Sequence, residues 1–294
     1  MKHFPRRRAK NNAPLAAKAP RFARFSKFSR QQLGPDSAGA KTLRRRGIYL
    51  LPNAITTAAL FCGFYAIVMA MNLRFEHASW AIFIAMVLDG LDGRIARLTN
   101  TQSEFGAQYD SLADMVSFGA APALVIYEWS LRGLGKLGWL AAFVYCAGAA
   151  LRLARFNTNI EVVDKRFFQG LPSPAAAAIV GGYILVMEDL QISGIGLPWV
   201  SWAIALFAGL TMVTNVPFYS FKDVNFRKSV PFIAVFLIAL AFALIALDPP
   251  KVLFPLFVLY GLSGYAVYFW RLSKGKRVSI VQTGPEPGER DQGP

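Results

Sequence analysis

Apolar residues along this chain come in long, nearly unbroken runs rather than in the alternating or three-to-four spacing of a soluble core. Past residue 49 the runs lie at about 50–72, 80–98, 105–127, 137–156, 171–188, 197–216, 230–247 and 251–270. Each is close to the ~20 residues that a helix needs to cross the hydrocarbon core of a bilayer. Residues 230–247 carry no polar side chain at all, which predicts a helix facing lipid or buried in packing. In hydrocarbon a helix satisfies its own backbone polar groups, so the pattern predicts an all-α, polytopic integral membrane helix bundle with about eight transmembrane helices.

Composition agrees with that reading and charge adds direction to it. The chain has 294 residues, 54% of them hydrophobic, and a mean hydropathy of +0.37, too apolar for an ordinary soluble domain. The net charge of +15 is concentrated: residues 1–49 hold fourteen Lys or Arg against the single acid Asp36, a net of +13, leaving +2 for the rest. Residues 1–46 therefore read as a basic, largely disordered cytoplasmic arm, 47–275 as a membrane-embedded domain and 276–294 as a flexible tail. The arm's run from Arg21 to Arg30 interleaves phenylalanines with bases. That composition suits an anionic membrane surface, and nucleic acid is not expected as a partner. With the arm inside, the same-side connections carry Arg97, then Arg152, Arg155, Lys165 and Arg166, then Lys222, Arg227 and Lys228, then Arg271, Lys274, Lys276 and Arg277. The opposite connections are poorer in bases and richer in acids, so both termini are expected on the cytoplasmic side of an inner membrane. Cys62 and Cys146 sit inside apolar runs without metal-ligand spacing and read as inert buried thiols.

Four carboxylates break the apolar pattern: Asp89 and Asp92, then Asp110 and Asp114. A charge at bilayer depth costs roughly 2.5–3.5 kcal/mol, so four unpaired aspartates would cost on the order of 10 kcal/mol, as much as a domain's whole stability. On helices the pairs are i, i+3 and i, i+4, each projecting from one face. Two helices meeting there form a cluster that repels itself unless cations hold it, and ligands that are all oxygens point to Mg²⁺, Mn²⁺ or Ca²⁺. A carboxylate-lined cation transporter is the rival reading from another functional class.

The spacing D-x2-D-G-x2-A-R-x8-G-x3-D-x3-D, running from Asp89 to Asp114, resembles the signature of the CDP-alcohol phosphotransferases, membrane enzymes that join a CDP-linked donor to an alcohol and release CMP. Two further stretches, Arg152-Leu153-Ala154-Arg155-Phe156-Asn157 with Phe168 to Ala177, and Val216 to Lys222, resemble the CDP-diacylglycerol–serine O-phosphatidyltransferase branch. The resemblance covers about residues 47–275.

The resemblance implies one or two Mg²⁺ or Mn²⁺ ions on Asp89, Asp92, Asp110 and Asp114, with Asp114 also the general base. It implies CDP-diacylglycerol and L-serine as substrates, CMP as leaving group, a homodimer in the bilayer, and an active site at the cytoplasmic face. Glycerol 3-phosphate, inositol phosphate or choline are the alternative acceptors. Asn53 and Thr56, in Pro52-Asn53-Ala54-Ile55-Thr56, would hold the nucleotide together with Gly93, Arg97 and Gly106. Read locally, Pro52 at a first turn and a Thr56 hydroxyl bonded into its own helix explain the same stretch. Arg152, Arg155 and Lys222 are the cations on the same side for serine's carboxylate.

Overall fold

The computed structural model describes residues 38–158, 167–219 and 232–274. Most of the basic arm, the tail past residue 274 and Lys222 lie outside the described residues. Residues 44–294 form one unit, which carries the helical bundle.

The apolar runs are helices. The first, α1 (Ala38–Met71), turns at Leu73, whose φ of +59° reverses the chain into α2 (Phe75–Leu98). Residues 99–103 then link α2 to α3 (Glu104–Asp114), where Ser103 caps the new helix by accepting the Gly106 N–H at 3.0 Å. A π-helical turn, Met115–Ala120, continues α3 directly into α4 (Ala121–Trp129). After a 3₁₀ turn come α5 (Lys136–Thr158), α6 (Ser173–Asp189), α7 (Pro198–Val213), α8 (Phe232–Leu247) and α9 (Pro249–Ser273).

The core forms around α6, which is buried from Ala175 through Val186. Its alanines and glycines let neighbouring backbones approach, the packing mode that replaces the hydrophobic effect between helices in lipid. The same device joins α5 to α7: a Cβ on Gly148 would stand 2.4 Å from the Gly209 carbonyl oxygen. At one end of the bundle Lys251 ties α6 to the α8–α9 junction, 2.7 Å from both Asp189 and Asp248.

By length and apolarity α5, α9 and the Leu51–Met71 part of α1 each suffice to cross a bilayer, and the chain is a mostly helical membrane protein. Among the described residues one departure from an all-α fold appears. Strand β1 (Phe167–Gln169) pairs antiparallel with β2 (Pro217–Tyr219), Phe168 opposite Phe218. Each strand flanks an end of the helices it connects, and pairing satisfies backbone groups that no helix serves there.

Candidate active site

The aspartates reach one place because a short link turns the chain so that α3 meets α2 at these carboxylates. Asp89 and Asp92 lie one helical turn apart near the end of α2, and Asp110 and Asp114 one turn apart along α3. Oxygens of Asp89, Asp92 and Asp110 all fall within 4.8 Å of one another. The Asp114 carboxyl is in hydrogen-bonding contact with that of Asp89. Two carboxylates in contact need a proton or a cation between them.

Further residues hold the cluster. Asp92, only 4% exposed, takes a hydrogen bond from the equally buried Thr56 hydroxyl at 2.5 Å. Thr56 Oγ1 also lies 3.1 Å from the Pro52 carbonyl in its own helix, so the local role and the role across helices coexist. On the opposite side Arg152, buried on α5, donates to Ser173 Oγ at 2.7 Å and is within electrostatic range of Asp89 and Asp114. Its Nε is buried without a hydrogen-bond partner.

A cavity of about 260 Å³ opens beside the cluster. Asn53, Thr56, Gly93, Arg97 and Gly106 all line it, with Asp92 and Asp110 in its wall. Gly106 sits in close quarters, since a Cβ there would stand 3.1 Å from Ser103 Oγ and 3.3 Å from Asn53 Oδ1. Gly93 is less constrained: a Cβ would meet only Arg97, at 3.7 Å. Thr101, Gln102 and Ser103 add polar groups to the wall, and sequence reasoning missed them. Ser103 alone carried a signal, a cap residue followed at once by Glu104.

Arg155 is placed differently from Arg152. Its guanidinium donates to Gln169 O at 2.9 Å, to Val213 O at 3.0 Å, to Asn215 Oδ1 at 3.1 Å, and to Met212 O and Thr214 O at 3.2 Å each. These bonds pin the ends of α5 and α7 to β1, so its donors serve the fold. The third acceptor candidate, Lys222, lies outside the described residues.

Residues 49–214, which include the four aspartates, match the CDP-alcohol phosphatidyltransferase family. The chain belongs to that family. A CDP-diacylglycerol–serine O-phosphatidyltransferase of Helicobacter pylori is 34% identical over 215 residues, covering 73% of this chain and 90% of the relative. Proteins of the same name from Methanocaldococcus jannaschii and Saccharomyces cerevisiae are 29% and 33% identical, over 76% and 64% of this chain and 96% and 65% of theirs.

The cluster fits the divalent metals of the phosphatidyltransferase family. Every available ligand atom is a hard oxygen, and Asp110 Oδ1 is buried with no hydrogen-bond partner, as a ligand oxygen awaiting a cation would be.

Proposed function

We infer that this enzyme transfers the phosphatidyl group of CDP-diacylglycerol to the hydroxyl of L-serine, giving phosphatidylserine and CMP. The observation that carries the reading is the meeting of the carboxylates at the wall of a cavity shared with Asn53, Thr56 and Arg97. Relatives bearing that enzyme's name in bacteria, an archaeon and yeast support the choice of serine as acceptor.

Asp89, Asp92, Asp110 and Asp114 would hold one or two ions of Mg²⁺ or Mn²⁺. When bound, such an ion neutralises charge on the donor's diphosphate. The cavity takes the nucleotide side of the donor. Arg97 faces a phosphate there, Asn53 and Thr56 offer hydrogen bonds, Gly93 leaves room for the ligand to approach, and Gly106 lets Ser103 and Asn53 close the cavity wall against α3. Arg152 binds the serine carboxylate with donors that Ser173 does not use. Asp114 accepts the proton of the serine hydroxyl as its oxygen bonds to the lipid-side phosphorus. The bond from that phosphorus to the CMP oxygen breaks, and CMP leaves with the electron pair. Lys222 remains a further cation for the acceptor, while Arg155 is left to its structural bonds.

The finer topology is also part of this reading: eight spans, both termini and the active site on the cytoplasmic side of an inner membrane, and a homodimer. The basic arm supports the orientation through the positive-inside rule.

The test is an acceptor panel on detergent-purified protein with CDP-diacylglycerol and Mn²⁺ or Mg²⁺, offering labelled serine, glycerol 3-phosphate, inositol phosphate or choline. Serine-dependent CMP release and labelled phosphatidylserine are expected. Turnover with another acceptor and none with serine moves the enzyme to another branch of the family. No CMP release with any acceptor favours the transporter.

A further inference from the structure

Tyr145 on α5 is fully buried, and its hydroxyl donates at 3.0 Å to the carbonyl of Phe118, which is fully buried too. The sequence removes that carbonyl's ordinary α-helical donor. In an unbroken α-helix it would receive the N–H of residue 122, and residue 122 is a proline. The chain passes through the π turn Met115–Ala120 at this point, with the Ala121 N–H reaching back to Val116 O. Tyr145 supplies the donor that Pro122 lacks.

The π turn comes immediately after Asp114. A π turn inserts an extra residue into the helical repeat and so rotates the helix on its N-terminal side, here α3, against the helix on its C-terminal side, α4. The α4 side is fixed, because Val125, Ile126 and Trp129 are core residues. The bearing of Asp114, and of Asp110 a turn earlier, is therefore set by how the π turn is held. α1 presses on it from one side: a Cβ on Gly63 would stand 2.5 Å from Ser117 Oγ, which donates to Ala59 O at 3.1 Å. α5 presses from another, through Ala149 against Gly119 and through the Tyr145 hydroxyl.

We propose that Tyr145 is a positioning residue of the active site: by holding the Phe118 carbonyl, it fixes the π turn and through it the aim of Asp110 and Asp114 at Asp89 and at the divalent ion they share. The proposal rests on the reading of the aspartates as metal ligands.

The test uses the detergent-purified full chain and the variant Tyr145→Phe, which deletes one oxygen and keeps the ring. Mn²⁺ binding is measured directly from the paramagnetic resonance signal of free Mn²⁺, without substrate, and CMP release is measured alongside. The Mn²⁺ dissociation constant is expected to rise roughly 5-fold or more, the weight of one buried neutral hydrogen bond. In parallel kcat falls, while the KM for CDP-diacylglycerol at saturating Mn²⁺ stays within about twofold, because Asn53, Thr56, Gly93 and Arg97, the cavity residues on α1 and α2, keep their places. Ser201→Ala is the control. It removes another buried hydroxyl, one bonded to Ser130 at the far end of the same helical run. A purely structural role for Tyr145 would lower the melting temperature in both variants and leave Mn²⁺ affinity intact in both, and that result overturns the proposal. Should Tyr145→Phe not fold, Pro122→Ala tests the same turn by returning an N–H to the helix. It is expected to weaken Mn²⁺ binding with Tyr145 in place, and undiminished affinity overturns the proposal equally. Wild-type protein that binds no Mn²⁺ at all would instead overturn the metal reading beneath it.

Discussion

Thr56 on α1 and Asp92 on α2 share a 2.5 Å hydrogen bond between two nearly water-free side chains. It links the helix carrying Asn53 to the helix carrying half of the carboxylates. Replacing Thr56 with Val keeps the shape and removes the donor, leaving a buried carboxylate short of a partner. A hydrogen bond to a charged group contributes about 1.5–3 kcal/mol, so kcat/KM for CMP release should drop roughly 10-fold or more. Steady-state kinetics of Thr56→Val at saturating serine decides it, and activity within twofold of wild type would show that Asp92 needs no help from α1.

Metal removal should silence the enzyme reversibly. Excess EDTA is expected to abolish CMP release and Mg²⁺ or Mn²⁺ to restore it, because the cluster offers only hard oxygen ligands. Asp89→Asn and Asp110→Asn should lose metal affinity and turnover together. Full activity in EDTA, with the protein's metal content assayed as zero, contradicts the assignment.

Asp114→Asn separates the base from the ligands. Asn keeps the outline of Asp but does not take up a proton at neutral pH, so kcat should decline by roughly 10²–10⁴. Donor binding should survive better than in the other three aspartate variants, since three carboxylates remain to hold the ion. Near-normal kcat with a raised metal requirement would make Asp114 a ligand only.

The two arginines of α5 should fail in different ways. Arg152→Met is expected to raise the serine KM by about 10-fold or more while sparing the donor KM, as loss of a charge-assisted carboxylate contact does. Arg155→Met removes the donors to Gln169, Met212, Val213 and Thr214 carbonyls, and should lower the melting temperature with proportionate loss of all kinetic constants. Thermal melts beside separate serine and donor titrations distinguish them, and a selective serine defect in Arg155→Met would return that residue to the acceptor site.

The sequence by itself determined the helical membrane character and the family, and it singled out the four aspartates as candidates. Apolar runs of bilayer length leave a chain little choice but helices, and carboxylates in such runs are too costly to be incidental. Periodicity also placed Asp89 with Asp92 and Asp110 with Asp114, since helical phase is a local property. What joins the pairs is not local. The Tyr145 hydroxyl on the Phe118 carbonyl and the Thr56 bond to Asp92 each depend on a residue from another helix. The difference between Arg152 and Arg155 was likewise hidden: two arginines three residues apart carry the same charge and similar propensity. Only the packing of α6 and α7 against α5 turned one guanidinium to Ser173 beside the aspartates and the other to a set of backbone carbonyls. Buried polar groups must find partners, and which partners lie within reach is settled by tertiary contact.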